Sequence, residues 1–519
     1  MTRSSRPDGL AVLVAAAVAL GVLVLTAEPD AWPWGVFASL VLWGAWRLPV
    51  RTTLLAMTFF ALAVDNPHER PSAGWWSNPL RPLAEPFYVN LHHQLPLPFL
   101  RISGLELLLA VVVVAVLVRQ ARGDDVEPRP LPSPAPLRQA LVIAVLALLA
   151  LEAWGLLRDG DFKQSLFQAR VMLALPVVTW LFLYGLRGAA DIAPLFRVVI
   201  LAALVKVATS AWFIFMICRP QGLAPPYATT HSDTVLYVVA LMILVARWWE
   251  RPAWRTLLEA GALGGAVCLG MALNDRRLAW ASLLMALAAL VLVSPWNRAR
   301  RFVVRATLAS LPALLVYAAA GWSSTATIFK PVRDLRSLTG TSVDVDKDAS
   351  TQFRDDENFN LVATWQEAPL VGAGFGHEFV EYVPLPDISR FMPTYHYQPH
   401  NGVLWLWTVG GLVGFSLLWL FLVAGVYFAA RAYHRAVAPR ERAAMLVALG
   451  AVLTYANQVY GDMGTQSYTC VFLVAPLLAL AGQLAVATGA WRAEPAADSG
   501  ALLASYLPAA RAHTDWRRG

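Results

Sequence analysis

The chain has 519 residues, of which 58% are hydrophobic and only 14% charged, with a net charge of +7. That balance excludes a soluble globular domain and a disordered chain, and fits a polytopic membrane protein. The basic residues sit in short clusters between apolar runs, so the charge reports membrane topology rather than a nucleic-acid-binding face. The three cysteines, Cys218, Cys268 and Cys470, have unrelated spacings and give neither a disulfide framework nor a metal site.

Arg3 and Arg6 precede an apolar run at 10–26, and Leu25-Thr-Ala27 is a poor cleavage site, so this run reads as an uncleaved first span. Further spans are expected at 31–46, 52–64, 105–118, 140–156, 171–186, 198–217, 234–246, 257–273, 278–293, 306–320, 403–429, 443–456 and 471–486, about fourteen in all. The segment at 65–101 reads as an aromatic interfacial loop, 126–136 as a stiff Pro-rich linker, 158–170 as a short charged loop, and 488–519 as a polar tail. Lys206 falls inside the seventh span, where a lysine is costly unless it faces a cavity or a partner. With both termini in the cytoplasm and the spans alternating, the excess of Lys and Arg lies inside, as the positive-inside tendency requires. Arg276, Arg277, Arg354 and His400 then share the outer face.

The polar stretch from Gly321 to Asn401 interrupts this pattern, and the chemistry concentrates in it and in the hairpin Asn274-Asp275-Arg276-Arg277. Guanidinium groups fork onto phosphate oxygens and keep their charge, so an outward Arg276-Arg277 pair points to an anionic ligand; the plainer reading is an interfacial anchor. Arg354 stands in an acidic cluster, Arg354-Asp355-Asp356-Glu357, where an ordinary surface ion pair is the default. A short amphipathic helix is expected at 359–367, followed by Pro369-Leu-Val-Gly-Ala-Gly374-Phe-Gly376, a tight turn whose N–H groups could approach an anion. His400-Asn401 opens the next span, where it could cap the helix or supply a general base. His377-Glu378-Phe-Val-Glu381 is not a zinc motif, since Glu381 stands where a second histidine belongs, and Asp344-Val-Asp346-Lys-Asp348 lacks the turn glycine of a calcium loop.

Taken together, residues 263–420 resemble the O-antigen ligase and polymerase family of bacterial envelopes. The family's Ser-Arg-Gly-Ala-Trp-like hairpin resembles Arg276-Arg277-Leu278-Ala279-Trp280, with Arg277 on the key arginine, although the departure leaves the choice between Arg276 and Arg277 open. Its arginine upstream of Pro-Leu-x-Gly-x-Gly resembles Arg354, with Asn358 where a tryptophan is usual, and its closing His-Asn resembles His400-Asn401. The resemblance implies an all-α, C-type glycosyltransferase-like bundle of about fourteen helices with a large periplasmic loop at 321–401, flanked by transmembrane helices at 1–262 and 421–487. It implies a glycosyltransferase of the bacterial inner membrane that needs no metal or other cofactor. The donor would be an undecaprenyl-diphosphate-linked glycan, the acceptor a glycan or lipid, and the surroundings membrane lipid, with no nucleic acid involved. His400, Arg277 and Arg354 would be catalytic, and Arg276, Asn401, Gly374, Lys206 and Arg219 would bind substrate, with Lys163 and Arg170 as weaker phosphate contacts. Polymerase and ligase are not separated. Two rivals remain open: a transporter or flippase of lipid-linked sugars, and an inert scaffold.

Overall fold

The computed structural model describes residues 41–67, 78–93, 101–122, 130–337 and 345–492, apart from the single residues 224, 226, 325, 391 and 463. Everything regular in it is helical; among the described residues β pairing is confined to an isolated bridge between Asn90 and Ser103. The helices are α1 (Val50–Ala63), α2 (Arg81–Tyr88), α3 (Gly104–Arg122), α4 (Ala135–Leu157), α5 (Phe162–Gly185), α6 (Ile192–Ala211), α7 (Asp233–Glu250) and α8 (Trp254–Asn274). They continue with α9 (Arg277–Val293), α10 (Arg298–Gly321), α11 (Lys330–Ser337), α12 (Val345–Glu367), α13 (Gly402–Arg435), α14 (Pro439–Gly461) and α15 (Tyr468–Ala487). Nine of the described helical segments are long and apolar enough to cross a membrane, and α1 and α9 are shorter apolar helices. The chain is a multi-pass, all-α membrane protein.

Every expected span from 52–64 onward falls on one of these helices, whereas the span at 10–26 and most of that at 31–46 lie outside the described residues. The 488–519 tail is described only as far as residue 492. Two local expectations are corrected. The charged stretch at 158–170 is mostly helix, because Asp161 caps α5 by accepting from the Gln164 N–H at 2.7 Å. The short helix expected at 359–367 begins at Val345, so Arg354, Glu357 and Asn358 are helical residues rather than loop residues.

The core lies around α7, α14 and α15, which are buried along most of their length, while α10 is exposed along its own. In water such an exposed apolar helix would be unstable; in lipid it is an outer helix. α6 ends in a π-helical turn, Trp212–Cys218, and a 3₁₀ turn at Arg219–Gln221.

α13 is broken within its first turns. Gly411 has φ 56° and ψ −165°, a conformation essentially confined to glycine, and it interrupts the helical hydrogen bonds. The turn at 369–374 repairs them. Leu412 N–H donates to the Pro369 carbonyl at 2.9 Å and Val413 N–H to the Leu370 carbonyl at 3.0 Å. In return Ala373 N–H donates to the Thr408 carbonyl at 2.9 Å and Gly374 N–H to the Val409 carbonyl at 2.8 Å. Non-helical backbone in a spanning helix is tolerated only where protein satisfies it, and here it does. A Cβ on Gly411 would sit 2.3 Å from the Leu370 carbonyl carbon. Gly411→Ala is therefore expected to cost at least about 1–3 kcal/mol from backbone strain alone. The check is a fall in melting temperature in detergent, against Gly265→Ala as control, since nothing lies within 4 Å of a Cβ at Gly265.

Candidate active site

The hairpin between α8 and α9 carries Arg276 at the N-cap of α9 and Arg277 as its first residue. Asp275 adopts φ 51° and ends α8. One residue earlier, Asn274 is buried and fastens the neighbouring loop: its Oδ1 accepts from Thr229 N–H and its Nδ2 donates to the Thr230 carbonyl, both at 3.1 Å. That loop carries Tyr227 and His231. The Arg276 guanidinium lies 4.1 Å above the Tyr227 ring and donates to His231 Nε2 at 2.5 Å. His231 Nδ1 in turn bonds Asp462, at the C-terminus of α14. An arginine N–H can only donate, so Nε2 holds a lone pair and the imidazole proton sits on Nδ1, donated to Asp462.

Arg354, on α12, is close enough to interact electrostatically with both Arg276 and Asp462. It is not paired with the acidic residues beside it in sequence, and among the described residues nothing accepts a hydrogen bond from its guanidinium. Burial alone would raise the Asp462 carboxyl, but His231, Arg354 and Arg276 together hold it well below the usual carboxylate range. Burial pulls Arg276 below the ordinary arginine value, against the opposing pull of Asp462. The result is two guanidiniums within electrostatic reach of Asp462, with Asp275 acting on Arg276 as well. Such an arrangement is suited to a further anion.

One turn along α12 from Arg354 is Glu357, fully buried, which accepts from the His400 backbone N–H at 3.0 Å and from His400 Nδ1 at 3.2 Å. The carboxylate can only accept, so a His400 proton sits on Nδ1, and in the neutral ring Nε2 carries the lone pair. The Phe353 ring meets His400 edge-on at 5.7 Å. Asn401 caps α13 by accepting from Leu404 N–H at 3.1 Å and donates to Asn358 at 2.9 Å, so Asn358 ties α12 to the start of α13.

Arg276, Arg354, His400 and Asn401 are thus gathered at one end of the bundle. Arg277 is half-buried at the start of α9. The other candidates sit differently. Gly374 is no anion cradle: its N–H is spent on Val409, and a Cβ there would lie 2.4 Å from Gly155 of α4. The adjacent Phe375 and Gly376 N–H groups are taken by the Leu151 carbonyl at 3.2 Å and by Gln168 Oε1 at 2.6 Å. The glycine-rich turn is a wedge between α4, α5 and α13.

Lys206 is 1% exposed and bonds Asp65 and Asp233, the latter at 3.1 Å, so it faces partners rather than substrate. Asp233 also accepts from the Thr230 N–H at 3.1 Å, so this buried triad steadies the loop that carries His231. Arg219 is exposed, 4.5 Å above the Phe215 ring, with no hydrogen bond linking it to the Arg276 group among the described residues. Arg170 bonds Asn90 at 3.0 Å, and Lys163 is exposed. Removing the ammonium alone would strand two buried carboxylates. Lys206→Met is therefore expected to cost about 3–5 kcal/mol, seen as a lower melting temperature that Lys206→Met combined with Asp233→Asn partly restores.

Residues 265–419 match the family model described as O-antigen ligase. The chain carries an O-antigen ligase domain. No curated protein matches the chain. The O-antigen ligase domain contains Asn274, Arg276, Arg277, Arg354, Glu357, His400 and Asn401, but His231, Asp462 and Lys206 lie outside it. Sequence reasoning missed His231 and Asp462. The signal for Asp462 was a carboxylate in an expected outer segment with no Lys or Arg of its own; for His231 it was a histidine in the outer segment before α7. Among the described residues no three His, Cys, Asp or Glu side chains gather as metal ligands would.

Proposed function

We propose that the protein is a membrane glycosyltransferase that moves a glycan from an undecaprenyl-diphosphate carrier to an acceptor hydroxyl at the periplasmic face of the bacterial inner membrane. The observation that carries this reading is the placing of Arg276 and Arg354 within electrostatic reach of each other and of Asp462, with Arg354 one helical turn from the Glu357 that bonds His400. A lipid-linked donor keeps its tail in the bilayer and presents its diphosphate at the surface, where the two guanidiniums can hold it. His400 Nε2 takes the proton of the acceptor hydroxyl as that oxygen attacks the anomeric carbon. The bond from the anomeric carbon to the phosphate oxygen breaks, and its electron pair leaves with the diphosphate, stabilised by Arg276 and Arg354. One displacement inverts the anomeric centre. Arg277, first in α9, and Arg219, exposed at the end of the π-helical turn, are additional contacts for the donor, and Lys206 acts at one remove by holding the 229–233 loop.

The test is glycan transfer by purified protein in lipid, with an undecaprenyl-diphosphate-linked glycan and an acceptor, with and without chelator. Transfer that survives chelator supports a metal-independent transferase, and its product separates chain extension from ligation to a different acceptor. Movement of the donor across the bilayer with no transfer overturns the reading in favour of a transporter.

A further inference from the structure

Arg276 is occupied before any donor arrives, because one of its N–H groups is given to His231 Nε2. A diphosphate oxygen would compete for that same N–H, and as a charged acceptor it makes the stronger bond. Once Arg276 turns to the phosphate, Nε2 is left with a bare lone pair. The groups around it are then Asp462 on the Nδ1 side, the donor's two phosphate charges on the Nε2 side, and the Tyr227 ring at 5.6 Å. Arg354 acts on Arg276 and Asp462 from α12, and Asp275 acts on Arg276 from the hairpin. Asp233, two residues on, is committed to Lys206 and Thr230. An imidazole placed between a carboxylate and a diphosphate is favoured as imidazolium, which can donate from both nitrogens.

We propose that His231 is a further ligand for the donor diphosphate: binding moves Arg276 from His231 to one phosphate oxygen, and His231 Nε2 takes one proton from solvent and donates it to another. This rests on the transferase reading and adds a residue outside the matched O-antigen ligase domain. It also gives donor binding a sign with pH. A proton taken up on binding makes binding tighter as pH falls, between the pH at which the ring is half-protonated in the complex and the lower pH at which it is so in the free protein. The diphosphate diester of the donor keeps its charge over that range, so the dependence belongs to the protein.

The experiment is calorimetric titration of the full chain in nanodiscs with polyprenyl-diphosphate-linked N-acetylglucosamine, without acceptor, in buffers of differing ionisation enthalpy. The wild type is expected to take up a proton on binding, up to one per site, and to bind several-fold more weakly at about pH 8.5 than at about pH 6. His231→Gln, which keeps an amide within reach of Arg276, is expected to bind more weakly at the lower pH, with no uptake and little dependence on pH. His400→Gln is expected to keep the uptake. Wild-type binding without proton uptake overturns the inference whether or not a variant folds, as does unchanged uptake in His231→Gln. Absence of any wild-type binding overturns the transferase reading and the inference with it.

Discussion

Replacing His400 with alanine is expected to lower glycan transfer by about 10²–10⁴-fold, the range for loss of a general base, while the protein stays folded. The backbone N–H of residue 400 still reaches Glu357, and Asn401 still caps α13, so two of the local bonds remain when the imidazole is removed. Donor binding should change little, because the guanidiniums proposed to hold the diphosphate are on the α8–α9 hairpin and one turn back along α12. Glu357→Gln should fall between wild type and His400→Ala: an amide can still accept from Nδ1–H but stabilises the imidazolium less. The measurement is single-turnover transfer with donor binding recorded alongside. A His400→Ala protein that transfers as fast as wild type would remove His400 from the chemistry.

Arg276→Ala should lose about 10²–10³-fold in transfer, the scale for removing one preorganised donor to a developing anion. The loss should exceed that of Arg277→Ala, although the family resemblance sets Arg277 on the key arginine. The reason is geometric. Arg276 lies in the group formed by Tyr227, His231, Asp462 and Arg354, whereas Arg277 is the first helical residue of α9 and one position around the turn. Arg276→Lys should recover part of the charge but not the forked contact, and so should remain well below wild type. The two single variants, assayed side by side for transfer and donor affinity, decide the point; a larger loss at residue 277 would reverse the assignment.

Much of the scaffold was legible because apolar runs announce themselves. From residue 52 onward each expected span overlaps a helix, and the observed helices start earlier because first turns carry residues such as Lys163 and Arg298 that hydropathy discounts. α12 was legible only at its end, since a polar helix has no apolar run to mark it. Arg354, His400 and Asn401 were found as residue types at a suggestive spacing, and the structure brings them into one neighbourhood. The glycine-rich turn misled because a glycine that approaches an anion and one that approaches another backbone look the same in sequence. Only the bond from Gly374 to Val409 distinguishes them. Lys206 was marked as needing a cavity or a partner, and its partners lie 141 and 27 positions away, beyond any local pattern.

The bond between His231 and Asp462 also sets an order of assembly. During synthesis, residues 1–419 emerge with the whole O-antigen ligase domain before α14 has been completed, and Asp462 lies at its far end. Until then His231 lacks the carboxylate that fixes its tautomer, and the bundle lacks α15, the buried post on which the surrounding helices pack. On the transferase reading, a nascent chain at that stage would lack part of its donor site. The site would be completed only with the final hairpin, which brings Asp462 to His231.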